Sequence, residues 1–150
     1  MNRIIILFLL ISASAVAQEG IGYLFGGAGR GGSGAIVQGG VGGEMVWRWI
    51  GFGSEVSYLA PQSSFSSGLG VVSVDPSIHF KRHEDARIDP YITGGYTAFI
   101  RNGVRSGANY GAGVNWWLGR DVGVRFEIRD QVLQQTHYWD FRVGVNFHVF

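Results

Sequence analysis

Histidines and carboxylates are the residues of this 150-residue chain with the most obvious capacity for chemistry. A transition-metal site needs three or four ligands that converge. His79 and His83 straddle an expected turn, and His137 and His148 lie a strand length apart, about 35 Å if extended. They form no ligand set. Cysteine is absent, which removes thiolate zinc sites, disulfides and cysteine nucleophiles. His137 lies near Asp130 and Asp140, as a base and its orienting carboxylate would, but no serine is close in sequence. Gly27-Ala-Gly-Arg-Gly-Gly32 matches the dinucleotide string GxGxxG. That string works only where a helix follows and its N-terminus holds a pyrophosphate. Here Ser33-Gly34 and an alternating run follow, so a loop is expected. No catalytic residue, metal or cofactor is assigned.

A second constellation is more promising. Glu44, Glu55, Arg125, Glu127, Arg129, Asp140 and Arg142 each alternate with apolar neighbours. In 122–129, Val122, Val124, Phe126 and Ile128 oppose Arg125, Glu127 and Arg129. In 141–149, Phe141, Val143, Val145, Phe147 and Val149 oppose Arg142, Gly144, Asn146 and His148. A period of two is the strand signature. Breaks in the pattern give eight strands, at about 20–28, 35–46, 50–59, 68–80, 88–100, 107–118, 122–130 and 138–149. Connections alternate between glycine- and serine-rich loops of about 5–8 residues and tight charged turns. Pro76 inside the fourth run implies a bulge or local irregularity.

These elements must hold charges of both signs on one face. Basic and acidic residues number 12 and 11, so the chain is nearly neutral and a poor nucleic-acid binder. Met1-Asn-Arg3, an apolar run over 4–11 and Ala15-Val-Ala17 form a signal-peptide pattern, too short to span a bilayer. Residues 1–17 are therefore expected to be a leader and 18–150 a single all-β domain.

An eight-stranded barrel can place its apolar face inward around a ligand, as a secreted lipocalin-like carrier does, or outward into lipid. Three features favour lipid. Trp47, Trp49, Trp116 and Trp117 cluster at one end, with Tyr58, Phe99, Tyr138 and Trp139 at the other, like two interfacial belts. The polar face carries charges that can pair in a narrow lumen. The chain also finishes on Phe150. The expected fold is an eight-stranded antiparallel transmembrane β-barrel, its lumen charges a structural network.

The chain also resembles the small outer-membrane β-barrel proteins, related in plan to the membrane domain of outer-membrane protein A. The resemblance rests on the leader, the eight strands, the terminal Phe and three stretches: Asp89-Pro-Tyr-Ile-Thr-Gly-Gly-Tyr96, Tyr110-Gly-Ala-Gly-Val-Asn-Trp-Trp-Leu118 and Val122-Gly-Val-Arg-Phe-Glu-Ile-Arg-Asp130. It implies a monomer in the bacterial outer membrane with termini in the periplasm. Its implied contacts are outer-membrane lipids and lipopolysaccharide, and the barrel assembly machinery, which reads Phe150. The implied role is structural and non-enzymatic. The rival is a lipid A-modifying enzyme of the same eight-stranded plan, but the deacylase string His-x-Ser-Asn is missing.

Overall fold

The computed structural model describes residues 19–32, 34–82 and 86–149. The expected leader and Phe150 lie outside them. Eight strands run in chain order: β1 (Glu19–Gly31), β2 (Gly34–Trp47), β3 (Ile50–Pro61), β4 (Leu69–His79), β5 (Ile88–Ile100), β6 (Val104–Trp117), β7 (Val122–Leu133) and β8 (Thr136–His148). Each pairs antiparallel with its neighbour, and β8 returns to β1 to close the barrel. Closure leaves no open sheet edge to satisfy in lipid.

Stagger follows from the register. Paired residues lead once round from Glu19 through Val46, Gly51, Ser77, Thr93, Gly111, Arg129 and Asp140 to Gly29, ten positions along β1. Over eight strands this stagger tilts the strands by about 40° and gives a radius of about 8 Å. Such an interior holds side chains and no open channel.

Alternation puts apolar side chains outside and polar ones inside. Leu24, Val41, Phe52, Val56, Ile92, Ile128 and Val145 are exposed on the outer wall, while Glu55, Arg129, Asp140 and Asn146 are buried within. This is the inverse of a water-soluble protein, where so continuous an apolar surface would aggregate.

Strands at the hairpin end run further than expected. Three of the four anticipated loops shrink: β1 ends at Gly31 and β2 begins at Gly34, and the connections at 101–103 and 134–135 are equally short, leaving 62–68 as the longest. Gln134 and Gln135 both have positive φ, 48° and 71°. That is the geometry of a two-residue turn matched to strand twist. Beyond the apolar zone, alternation disappears from the sequence, but backbone pairing continues through glycine and glutamine. Pro76 causes no bulge. Val74 pairs with Tyr96 and Ser77 with Thr93, so register is kept across a short gap in the ladder. The Pro76 carbonyl accepts from the Thr93 hydroxyl at 3.1 Å.

Candidate functional site

The sequence stretch Arg125-x-Glu-x-Arg129 places three charges on one face of β7, and the barrel directs all of them inward. Glu127 becomes the hub. Its Oε2 accepts from Arg125 Nη2 at 3.0 Å, and its Oε1 from Arg129 Nε at 2.5 Å and Arg142 Nη1 at 3.5 Å. The Tyr91 hydroxyl donates to Oε2 at 2.5 Å. Arg129 also reaches Asp75 at 2.8 Å. Arg142 spans Asp140 at 2.8 Å and Glu55 at 3.1 Å. The Arg125 guanidinium lies between the rings of Tyr23 and Tyr91, 4.3 and 4.2 Å from their centroids. Glycine makes room for this crowd. A Cβ on Gly42 would stand 2.4 Å from the Tyr23 ring, and one on Gly113 equally near the Tyr91 hydroxyl.

Nearer the chain termini, His79 bridges two carboxylates, with Nδ1 2.7 Å from Asp89 and Nε2 3.0 Å from Glu44. Ser77 Oγ lies 3.2 Å from Nε2, which completes the outline of a Ser–His–Asp triad. All three residues are buried, and the Ser77 hydroxyl donates to Glu44. Towards the hairpin end the polar interior continues as amides and hydroxyls. Gln38 donates to Ser57 at 2.7 Å and accepts from Gln131 at 2.9 Å, and Ser73 meets Thr97 at 2.9 Å.

Both ends of this polar column are stoppered by apolar side chains. Ile36, Leu59, Val71, Phe99 and Leu133 close the hairpin end, with Leu69 and Tyr138 packed against them. Ile21, Val46 and Trp117 close the other. Between them a void beside Arg125, Glu127 and Arg142 measures about 10 Å³. That is room for about one water. Six carboxylates (Glu44, Glu55, Asp75, Asp89, Glu127, Asp140) share three arginines and His79 among the described residues. One oxygen each of Asp89 and Asp140 is buried with no hydrogen-bond partner, as are both side-chain polar atoms of Asn146.

All seven charged residues picked from sequence, Glu44, Glu55, Arg125, Glu127, Arg129, Asp140 and Arg142, face this interior. Asp75, Asp89 and His79 were missed. The signal was present, because Ser73, Asp75, Ser77 and His79 alternate with Val72, Val74, Pro76 and Ile78 along β4. The aromatic set needs correction. Trp47, Trp49, Trp116 and Trp139 are exposed on the outer wall and rims. Trp117 instead points inward and stacks on His148, ring centroids 3.8 Å apart. Tyr138 packs against the inner apolar cluster, and Phe99 is buried there. Adjacent residues of a strand face opposite ways, so Trp116 and Trp117, like Tyr138 and Trp139, cannot share a belt.

His137 does meet Asp130, Nδ1 to Oδ2 at 2.7 Å, and the same oxygen accepts from the Tyr110 hydroxyl at 2.9 Å. Asp140 is not part of this group, since β8 turns it inward to Arg142. Among the described residues no group of three or more His, Asp or Glu is arranged to hold a metal.

No protein-family model matches the chain, and no curated protein matches it in sequence. Solved structures do. The N-terminal β-barrel domain of Pseudomonas aeruginosa OprF superposes with a TM-score of 0.69 at 15% identity, covering 88% of this chain and 98% of that one. The fold is that of the small transmembrane β-barrels. Neisserial surface protein A (NspA) gives 0.62 at 11% identity over 86% of this chain and 95% of its own. Ail, the attachment invasion locus protein of Yersinia pestis, gives 0.56 at 13% over 87% and 95%. A de novo designed transmembrane barrel also matches, at 0.59 and 17% identity over 89% and 97%. Since a design built as a barrel shares this transmembrane fold, the fold alone carries no activity.

Proposed function

We propose that this chain is a structural, non-enzymatic integral protein of the bacterial outer membrane, a monomer whose lumen does not conduct. The observation that carries the reading is the inverted burial: an apolar outer wall around a charged column stoppered at both ends. The leader pattern of residues 1–17 supports export. In this reading the termini lie in the periplasm and the hairpin turns face outward, and the barrel assembly machinery inserts the chain, with Phe150 part of its signal.

Charge at the hairpin rim supports a contact with lipopolysaccharide. Arg30, Arg101 and Arg105 are exposed there, while the connecting residues 32–33, 62–68, 101–103 and 134–135 include no Asp or Glu. Guanidinium groups pair well with phosphate oxygens. Ail has been crystallised with the heparin analogue sucrose octasulfate, a polyanion bound by a barrel of the same fold. A lipid A hydrolase is not favoured, because His137 and Asp130 have no serine partner among the described residues and the Ser77–His79–Asp89 group is closed off.

Cell fractionation with boiled and unboiled detergent gels tests the core of this. Outer-membrane recovery with a heat-dependent mobility shift is expected, and a soluble periplasmic protein would refute it. Planar-bilayer recordings should show no steady conductance.

A further inference from the structure

We propose that the β5–β6 corner of the hairpin rim binds a compact amphiphilic anion, an aryl carboxylate whose ring rests on the apolar stopper and whose charge meets Arg101 and Arg105. The cavity measures about 410 Å³, within the size range of small-molecule sites. Its floor is Leu69, Phe99, Leu133 and Tyr138, and its lip is Arg101 and Arg105. The turn Arg101-Asn-Gly103 holds that lip, tightened by the Arg101 amide donating to the Gly103 carbonyl at 3.2 Å. Arg105 is the cross-strand partner of Phe99. The two side chains therefore leave the sheet next to each other on the inward face.

Charge decides the ligand. Every buried arginine of the barrel is engaged by carboxylates, whereas Arg101 and Arg105 form no ion pair among the described residues and are exposed. The carboxylates of β7 and β8 on this half of the barrel are committed elsewhere, Asp130 to His137 and Tyr110 on the outer face and Asp140 to Arg142 inside. Depth decides the size. One inward-facing position deeper on the same strands lie Val71, Thr97, Gln131 and Asp140, all buried, and the polar three are already bonded, Thr97 with Ser73, Gln131 with Gln38 and Asp140 with Arg142. An alkyl chain would have to break those bonds to run deeper, so the apolar body is a ring or a few methylenes. The site needs only the barrel and is independent of which side of the membrane the rim faces.

The test is titration calorimetry on the barrel in nanodiscs of zwitterionic lipid, with 4-phenylbutyrate and its neutral analogue 4-phenylbutan-1-ol as probes. The anion should bind saturably, one per barrel, with the alcohol at least about tenfold weaker. R101Q/R105Q should weaken the anion at least about tenfold. R30Q, on the same rim but outside this cavity, should stay within about twofold. Linear partitioning of the anion, equal affinity for the alcohol, an unchanged double variant, or an equal loss in R30Q would each overturn the site. The alcohol comparison uses the unmodified protein and stands even if a variant folds poorly. Loss of this binding in a barrel that still shows the heat-dependent gel shift would refute the site and leave the structural reading intact.

Discussion

Replacing Arg142 with Met should cost more than replacing any one of its acidic partners, because carboxylates outnumber guanidiniums inside the barrel. Arg142 donates from Nε to Asp140 at 2.8 Å, from Nη1 to Glu55 at 3.1 Å and from Nη2 to Gln38 at 3.0 Å. Among the described residues it is the one side chain that donates to Asp140, whose second oxygen already has no partner. Glu55 would keep only the Tyr23 hydroxyl, at 3.4 Å. Breaking a buried ion pair by removing one partner costs about 3–5 kcal/mol. With two acids stranded, R142M belongs at the upper end, about 4–5 kcal/mol. Adding D140N removes one stranded charge and should return about 1–3 kcal/mol, the usual coupling of groups in contact. Adding E127Q should return less than about 0.5 kcal/mol, since Glu127 keeps Arg125 and Arg129. Urea unfolding in lipid vesicles, followed by gel mobility and tryptophan fluorescence, measures all three variants. A loss under about 1 kcal/mol for R142M, or equal recovery by D140N and E127Q, would show that the pairs do not act as derived.

Val145 lies on the outer wall between Leu24 and Val124, three residues from the end of β8, so V145R should destabilise the barrel in lipid by about 1–3 kcal/mol, short of the full midplane cost; refolding yields in vesicles matching the parent would contradict the outward assignment. Gly144 faces inward, and a Cβ there would sit 2.5 Å from the Leu24 carbonyl oxygen. G144A should then cost about 1–3 kcal/mol while G26A, with open space around it, stays within about 0.5 kcal/mol, both read from urea midpoints. W117A, which empties the stopper near the termini, should cost about 3–5 kcal/mol, against less than about 1 kcal/mol for W116A on the outer wall; reversed sensitivities in the same unfolding assay would invert the facing of β6.

Strand number and facing were legible wherever apolar and polar residues alternate cleanly, as along β7 and β8. Arg125, Glu127, Arg129 and Arg142 follow from period two alone. Trp117 and Tyr138 were misplaced because residue type was allowed to outweigh parity. Strand ends were illegible at the hairpin rim, where backbone bonding continues through 29–31 and 131–133 without an apolar pattern to mark it. The union of Glu44, Ser77, His79 and Asp89 was hidden for another reason. It joins the neighbours β4 and β5 to β2 on the far side of β3, and their common height depends on the stagger of the strands between. No local pattern encodes that sum.

The stoppers are built from strand residues, Ile36, Leu59, Val71, Phe99 and Leu133 at one end and Ile21, Val46 and Trp117 at the other. The turns beyond them therefore bear no sealing duty. A foreign peptide spliced into the 62–68 connection would ride on the rim without unplugging the lumen. The cost of the lengthened loop grows only with the logarithm of its length, about 0.6 kcal/mol per doubling. The barrel is in that sense a ready display scaffold: its plugged body and its replaceable crown are separate parts.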